Sequence, residues 1–190
     1  MIFVTVGAQL PFDRLVHAVD NWARRAGRSD VFAQIGTTKQ PPRHLRWTRM
    51  LDPIDFRHHF WEAELVIAHA GAGTILTAME MSRPLLVMPR IADNGETRSN
   101  HQFATARQFQ ATTPLAVAAD ETQLGLMLDA GTTIAPMSRV GSYASPRLLE
   151  NVRSIIETGV LAEPQLRLIP APRENDAAAV ENLPARRKAA

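Results

Sequence analysis

At 190 residues, with 45% hydrophobic and 21% charged side chains, the chain is long enough to bury one sizeable core and too apolar to be disordered throughout. It has no cysteine, which excludes a disulfide framework, thiolate catalysis and any cysteine-ligated zinc or iron–sulfur centre, and a reducing cytoplasm fits. The formal charge of +2 does not imply nucleic acid, and no segment nears the roughly 20 apolar residues that cross a bilayer, so work at a membrane would require an anchor from another protein.

The opening Met1-Ile2-Phe3-Val4-Thr5-Val6-Gly7 has no basic leader followed by an apolar stretch, and is read as a strand, Ile2 to Val6, ending on glycine. A helix follows from Pro11 to Arg25, where Phe12, Leu15, Val16, Val19 and Trp22 fall at spacings of three and four on one stripe that must cover a sheet. Strands are expected at Val31 to Ile35 and at Leu45 to Leu51, beyond the Pro41-Pro42 break. Between and after them, Lys39, Arg43, Arg46, Arg49 and Arg57, with His44, His58 and His59, make a basic stretch that reads as a solvated face or as a contact for anionic lipid or an acidic partner.

A helix from Pro53 to Ala63, proline-first, leads to the apolar strand Leu65 to Ala68. The pattern then repeats as helix Thr74 to Met81, strand Leu85 to Met88, helix Arg98 to Phe109 and a short strand near Leu115 to Ala118. Helices at Glu121 to Ala130 and Ser145 to Glu157 follow. Strand and helix alternating in this way predict an α/β fold, a Rossmann-like parallel sheet with helices on both faces. One domain is expected over residues 1–163, and the Pro-, Ala- and charge-rich residues 164–190 read as a disordered tail.

Ligands of open parallel sheets bind at the carboxyl ends of the strands, which selects Gly7-Ala8-Gln9, His69-Ala70-Gly71-Ala72-Gly73-Thr74 and the loop from Pro89 to Gln102. The middle run is the most specific, because glycines opening directly into a helix let backbone N–H groups close on a phosphate. A nicotinamide dinucleotide site is a poor fit, since its Gly-x-Gly-x-x-Gly belongs after the first strand, where Val6-Gly7-Ala8-Gln9-Leu10 stands, and Leu76 occupies the third glycine position of the later run.

The run Val66 to Thr74, the Pro84-to-Pro89 strand and the triplet Asn100-His101-Gln102 resemble the C-terminal, donor-binding domain of family 28 glycosyltransferases. The opening Phe3-Val4-Thr5-Val6-Gly7 with Pro11-Phe12-Asp13-Arg14-Leu15 narrows the resemblance to its short, single-domain Alg13/PssE-like branch. It covers about Ile2 to Phe109, and Gly95 to Ala106 is closer to bacterial exopolysaccharide proteins.

The resemblance implies a domain equivalent to the C-terminal half of a GT-B glycosyltransferase, acting as the donor subunit of a two-component inverting enzyme. That enzyme would move a hexose-type sugar from a UDP-sugar to a lipid-linked saccharide in exopolysaccharide or capsule synthesis. It implies Gly71, Ala72, Gly73 and Thr74 around the diphosphate, with Gly7 in the same donor-binding set. It also implies His69 on a donor phosphate to offset leaving-group charge, and His101 and Gln102 near the sugar hydroxyls, where the alternative is that they cap the next helix. Arg90 and Arg98 flank the last loop and either neutralise a diphosphate or sugar carboxylate or stay solvated. Thr77 stands where many relatives carry a ribose-binding acid, with Glu80 one turn on.

No metal or other cofactor is expected beyond the UDP-sugar substrate, since there is no Asp-x-Asp run and GT-B enzymes use helix dipoles and side chains instead. The catalytic residue is not identified. The base of such enzymes usually comes from the N-terminal domain, and Asp13 and His17 are the only candidates here, Asp13 reading first as a helix-start charge and only weakly as a base. The implied partner is a membrane-anchored Alg14/PssD-like acceptor subunit, met through Ser138 to Glu157 or the basic stretch from Arg43 to Arg57. The complex would be peripheral at the cytoplasmic face of the plasma membrane. The competing readings are a non-catalytic regulatory or scaffolding subunit and a nucleotide-sugar epimerase or hydrolase acting alone.

Overall fold

The computed structural model describes residues 1–141 and 143–160, so the tail expected at 164–190 lies outside the described residues. The chain divides into two units, Met1–Gly141 and Ser142–Ala190. The first is a parallel six-stranded sheet of β1 (Ile2–Thr5), β2 (Val31–Gln34), β3 (Arg46–Thr48), β4 (Leu65–His69), β5 (Leu85–Met88) and β6 (Ala116–Val117). Its spatial order is β3-β2-β1-β4-β5-β6, the doubly wound order of dinucleotide-binding folds. The winding reverses between β1 and β4, which pair in register from Ile2 against Leu65 to Thr5 against Ala68, so the loops after these two strands open a crevice.

Period-two alternation decides which helices cover which face. Ile2, Val4, Ile67, Leu86 and Met88 face the apolar stripe of α1 (Asp13–Arg25), with Leu124 of α5 (Glu121–Asp129) in the same cluster. Phe3, Val66, Ala68, Leu85 and Val87 face Phe60 of α2 (Pro53–Glu62), Ile75 and Ala78 of α3 (Ala72–Met81) and Ala106 of α4 (His101–Gln110). The second unit contains α6 (Pro146–Thr158), capped by Ser145 Oγ, which accepts from the Leu148 N–H at 3.2 Å.

Most expected elements are present and several are shorter. The strand anticipated from Leu45 to Leu51 narrows to Arg46–Thr48, an edge strand paired only with β2, and the helix anticipated from Arg98 begins at His101. α1 begins at Asp13 because Phe12, at φ −140° and ψ 58°, is not helical. α3 starts two residues before Thr74, which puts Gly73 and Thr74 inside its first turn.

Two α1 carboxylates fix the course of the chain after β2. Asp13 Oδ1 accepts from the N–H groups of Lys39 and Gln40 at 2.9 and 3.0 Å. The buried Asp20 accepts from those of Arg43, His44 and Leu45 at 3.1, 2.8 and 3.0 Å. Burial alone would raise the Asp20 pKa, but these three donors outweigh it and hold the carboxyl below its ordinary value. Such a group adds stability above its unfolded-state pKa, and that stability is lost as pH falls through the folded value. Asp20→Ala is therefore expected to cost about 2 kcal/mol in urea unfolding at neutral pH, with the difference from wild type shrinking in acid; equal midpoints at neutral pH would contradict this account.

Candidate functional site

A cleft of about 350 Å3 opens at the carboxyl ends of β1, β4 and β5, lined by Gly7, Gln9, His69, Gly71, Arg90, Glu96, Thr97, His101 and Gln102 among others. It sits where the winding of the sheet reverses. At its edge α3 begins with Gly71 as N-cap and no side-chain cap. Ile75 N–H reaches the Gly71 carbonyl at 3.1 Å, while the N–H groups of Ala72, Gly73 and Thr74 have no partner among the described residues. Uncapped first-turn N–H groups with the positive end of the helix dipole behind them form an anion-binding surface.

His69, the last residue of β4, is held between two glycines. A Cβ at Gly7 would stand 2.9 Å from its Cε1, and one at Gly71 would overlap Nε2. Gly7 also adopts φ +75°, which side-chain-bearing residues rarely enter. Both glycines are thus required by the imidazole and leave it little room to move. Nδ1 is buried without a well-formed hydrogen bond. Burial, reinforced by the Arg90 charge, drives the His69 pKa down to about 4, and the weak opposing pull of the Thr5 backbone does not offset them. The ring is neutral at physiological pH.

Arg90 is buried and its guanidinium is engaged by backbone carbonyls: Nη1 donates to Pro11 and Glu96 at 2.9 and 2.7 Å, and Nη2 donates to Val6 and to Leu10 at 2.8 Å. It also lies 4.8 Å from the centre of the Phe12 ring. An arginine read as a donor-binding cation is therefore the tie between the loop after β1 and the loop after β5. Its own N–H donates to Oε1 of the buried Gln102 at 3.2 Å, which fixes the amide and leaves Nε2 without a partner among the described residues.

Two residues of this network had no assigned role in the sequence reading. Glu96, buried in the Pro89-to-Gln102 loop, takes a forked contact from Arg14 at 2.9 and 3.0 Å and accepts from the Ile91 N–H at 2.8 Å. Arg14 also donates to Glu121 at 3.1 Å and to the Pro89 carbonyl at 2.9 Å. Burial would lower the Arg14 pKa, but Glu96 and Glu121 outweigh it and raise the value. An exposed-looking Arg on a helix and a Glu in a loop 82 residues apart give no pattern by which to pair them.

His101 lines the cleft at the start of α4, with Nδ1 2.9 Å from Ser99 Oγ, so Gln102 and His101 are brought to one wall while Asn100 binds the Ala92 N–H. Ala72, Gly73 and Thr74 are not in the cleft lining; they follow Gly71, which is, in the first turn of α3. Asp13 is held elsewhere by Lys39 and Gln40, and neither it nor His17 lines this cleft. Thr77 Oγ1 donates to the Gly73 carbonyl at 2.9 Å, and Glu80 pairs with Arg57 at 3.4 Å. No group of three or more His, Asp or Glu side chains among the described residues is placed to hold a metal ion.

In a histidine Cε1–H NMR titration, His69 is expected to stay neutral to a midpoint near 4. Its burial then withdraws stability as pH falls between the ordinary histidine value near 6.5 and that midpoint, because the unfolded chain binds the proton first. Gly71→Ala, which displaces the ring, is expected to move the midpoint upward; a midpoint near 6.5 in the unmodified chain would contradict the packing described.

A sequence profile of the glycosyltransferase family 28 C-terminal domain matches residues 1–130. UDP-N-acetylglucosamine transferase subunit ALG13 of Mus musculus is 34% identical over 117 residues, 56% of this chain and 10% of that protein. The subunit of the same name from Eremothecium gossypii is 37% identical over 93 residues, 47% of this chain and 44% of that one. The chain thus spans less than half the length of these curated relatives. An NMR solution structure of ALG13 superposes with a TM-score of 0.50 at 21% identity, covering 75% of this chain and 90% of that one, a likeness of fold. With its β3-β2-β1-β4-β5-β6 sheet and a family profile that covers residues 1–130, the chain belongs to the glycosyltransferase family 28 C-terminal domain family and has the Rossmann-like fold of a GT-B donor domain.

Proposed function

We propose that the chain is the donor-binding subunit of a two-component inverting glycosyltransferase that takes a hexose-type sugar from a UDP-sugar. The observation that carries this reading is the uncapped start of α3 beside a neutral, sterically fixed His69 in a family 28 domain. The diphosphate would lie against the N–H groups of Ala72, Gly73 and Thr74. In the tautomer that carries the proton on Nε2, the neutral imidazole would donate to a phosphate oxygen. The acceptor oxygen attacks the anomeric carbon from the side opposite UDP, the C–O bond to the diphosphate breaks, and the developing charge falls on these donors. Gln102 Nε2 and His101 are left for the sugar hydroxyls. In this reading the helix terminus and His69 take the role of a divalent cation.

The acceptor proton needs a base, and neither candidate, Asp13 or His17, lines this cleft. A partner of the Alg14/PssD-like kind, membrane-anchored and carrying the lipid-linked saccharide, would provide it. The relatives matched here are themselves named as subunits. An apolar stripe on α6 supports a protein-facing surface: Leu148, Leu149, Val152, Ile155 and Ile156 recur at helical spacing and are all exposed. No helix among the described residues is long and apolar enough to cross a membrane, which fits an anchor on the partner. An exopolysaccharide acceptor at the cytoplasmic face of the plasma membrane is the setting we favour, from the Gly95-to-Ala106 resemblance.

A non-catalytic regulatory subunit is the second reading. It is favoured by Thr77 spending its hydroxyl on Gly73 and by Glu80 being paired, which leaves no free acid at the ribose positions.

Co-expression with the membrane partner, followed by transfer from radiolabelled UDP-sugars to a membrane lipid fraction, separates the two. Transfer that requires both chains, survives EDTA and falls about a hundredfold in His69→Ala is expected. UDP-sugar binding without any transfer would favour the regulatory subunit, and loss of transfer in EDTA would refute the metal-free reading.

A further inference from the structure

Beside α1 lies a second, larger cleft of about 750 Å3, walled by His17, Asp20 and Arg24 of α1 and by Lys39, Arg43 and His44 of the β2–β3 connection. It shares no lining residue with the cleft around His69. Its volume falls in the range of about 300–1,000 Å3 typical of small-molecule sites.

The charged groups of Arg24, Lys39 and Arg43 have no hydrogen-bond or ion-pair partner among the described residues, although acids pair with Arg14, Arg25, Arg28 and Arg57 elsewhere on the surface. Asp20 is the one acid of the cleft lining, and its two oxygens are taken by backbone N–H groups of Arg43, His44 and Leu45. The cleft therefore keeps a net positive charge, with like charges gathered around one concavity at a cost that a bound anion would remove.

The backbone that carries two of the cations, Lys39 and Arg43, is also fixed in advance of any ligand. Asp13 pins the backbone at Lys39 and Gln40, and Asp20 pins it at Arg43 to Leu45, so the loop carrying Lys39, Arg43 and His44 is fixed to α1 at both ends. Less ordering then remains to be done on binding, which is what distinguishes a site from a merely solvated basic face.

We propose that this cleft is a second anion site, which takes a phosphate group bearing at least two negative charges, free in solution or on a lipid headgroup. Arg24 and Arg43 offer planar N–H pairs suited to phosphate oxygens, and Lys39 a mobile ammonium in the same lining. The inference does not depend on the sugar-transfer reading, because it uses none of the same residues.

The test is titration of the full ¹⁵N-labelled chain with sodium pyrophosphate, reading the amides of residues 39–45 and, separately, those of residues 71–75. The comparison is the triple variant R24Q/K39Q/R43Q, whose substitutions are all at exposed side chains. Flotation with phosphatidylcholine vesicles, with and without phosphatidic acid, whose phosphomonoester can carry two negative charges, distinguishes the two phosphate sources.

The expected result is a saturable shift at residues 39–45 that weakens about tenfold or more in the variant, the size of losing one or two charge-assisted hydrogen bonds. The shifts at residues 71–75 should be unchanged, which also reports that the variant is folded. Vesicle binding that requires phosphatidic acid and is lost in the variant would assign the site to a headgroup; pyrophosphate binding without vesicle binding would assign it to a soluble phosphate. Shifts confined to residues 71–75, no binding of either probe, or equal binding by the variant would overturn the proposal.

Discussion

The Arg90 guanidinium holds the candidate site together. Four of its five N–H groups donate to carbonyls of Val6, Leu10, Pro11 and Glu96, residues drawn from two loops that follow different strands. A lysine has one donor centre and cannot reproduce that fork. Because both loops line the cleft, its shape depends on this one buried cation, and the cation is made tolerable by the carbonyls, by Glu96 nearby and by the Phe12 ring face.

That arrangement sets the character of His69. The Arg90 charge and burial keep the imidazole neutral, and Gly7 and Gly71 keep it in place, so the site presents a rigid dipole where a flexible cation would otherwise stand. A neutral donor beside an uncapped helix terminus can stabilise growing negative charge on a leaving group without binding the ground state too tightly. The sheet brings His69 and the start of α3 together by ending β1 and β4 side by side, which on the proposed reading puts fixed dipoles where charge would develop.

Much of the fold was legible because it rests on periodicity. Ile2, Val4 and Val6 against Phe3, and Leu86 and Met88 against Leu85 and Val87, alternate in sequence as they do across the sheet, and the helix stripes carry the same signal at spacing three and four. The glycines of the His69 loop were legible for the same local reason, since a strand running into Gly-x-Gly and a helix predicts the turn directly. What was not legible is long-range polar geometry. Arg90 was read by charge alone, as a residue facing ligand, whereas its partners are carbonyls up to 84 residues away that no sequence pattern announces. Asp13 was read as a helix-start acid or a base, and it proves to fasten the loop at Lys39. Element ends shifted where local backbone conformation rather than hydrophobicity decides them, as at Phe12 and at Asn100 before His101.

The central claim is that the start of α3 beside His69 receives the donor diphosphate, and titrating UDP into the ¹⁵N-labelled chain tests it most directly. Saturable movement of the Ala72, Gly73 and Thr74 amides, with the His69 ring resonances following the same curve, is the result this account predicts. UDP binding that leaves those amides and His69 unmoved would contradict it.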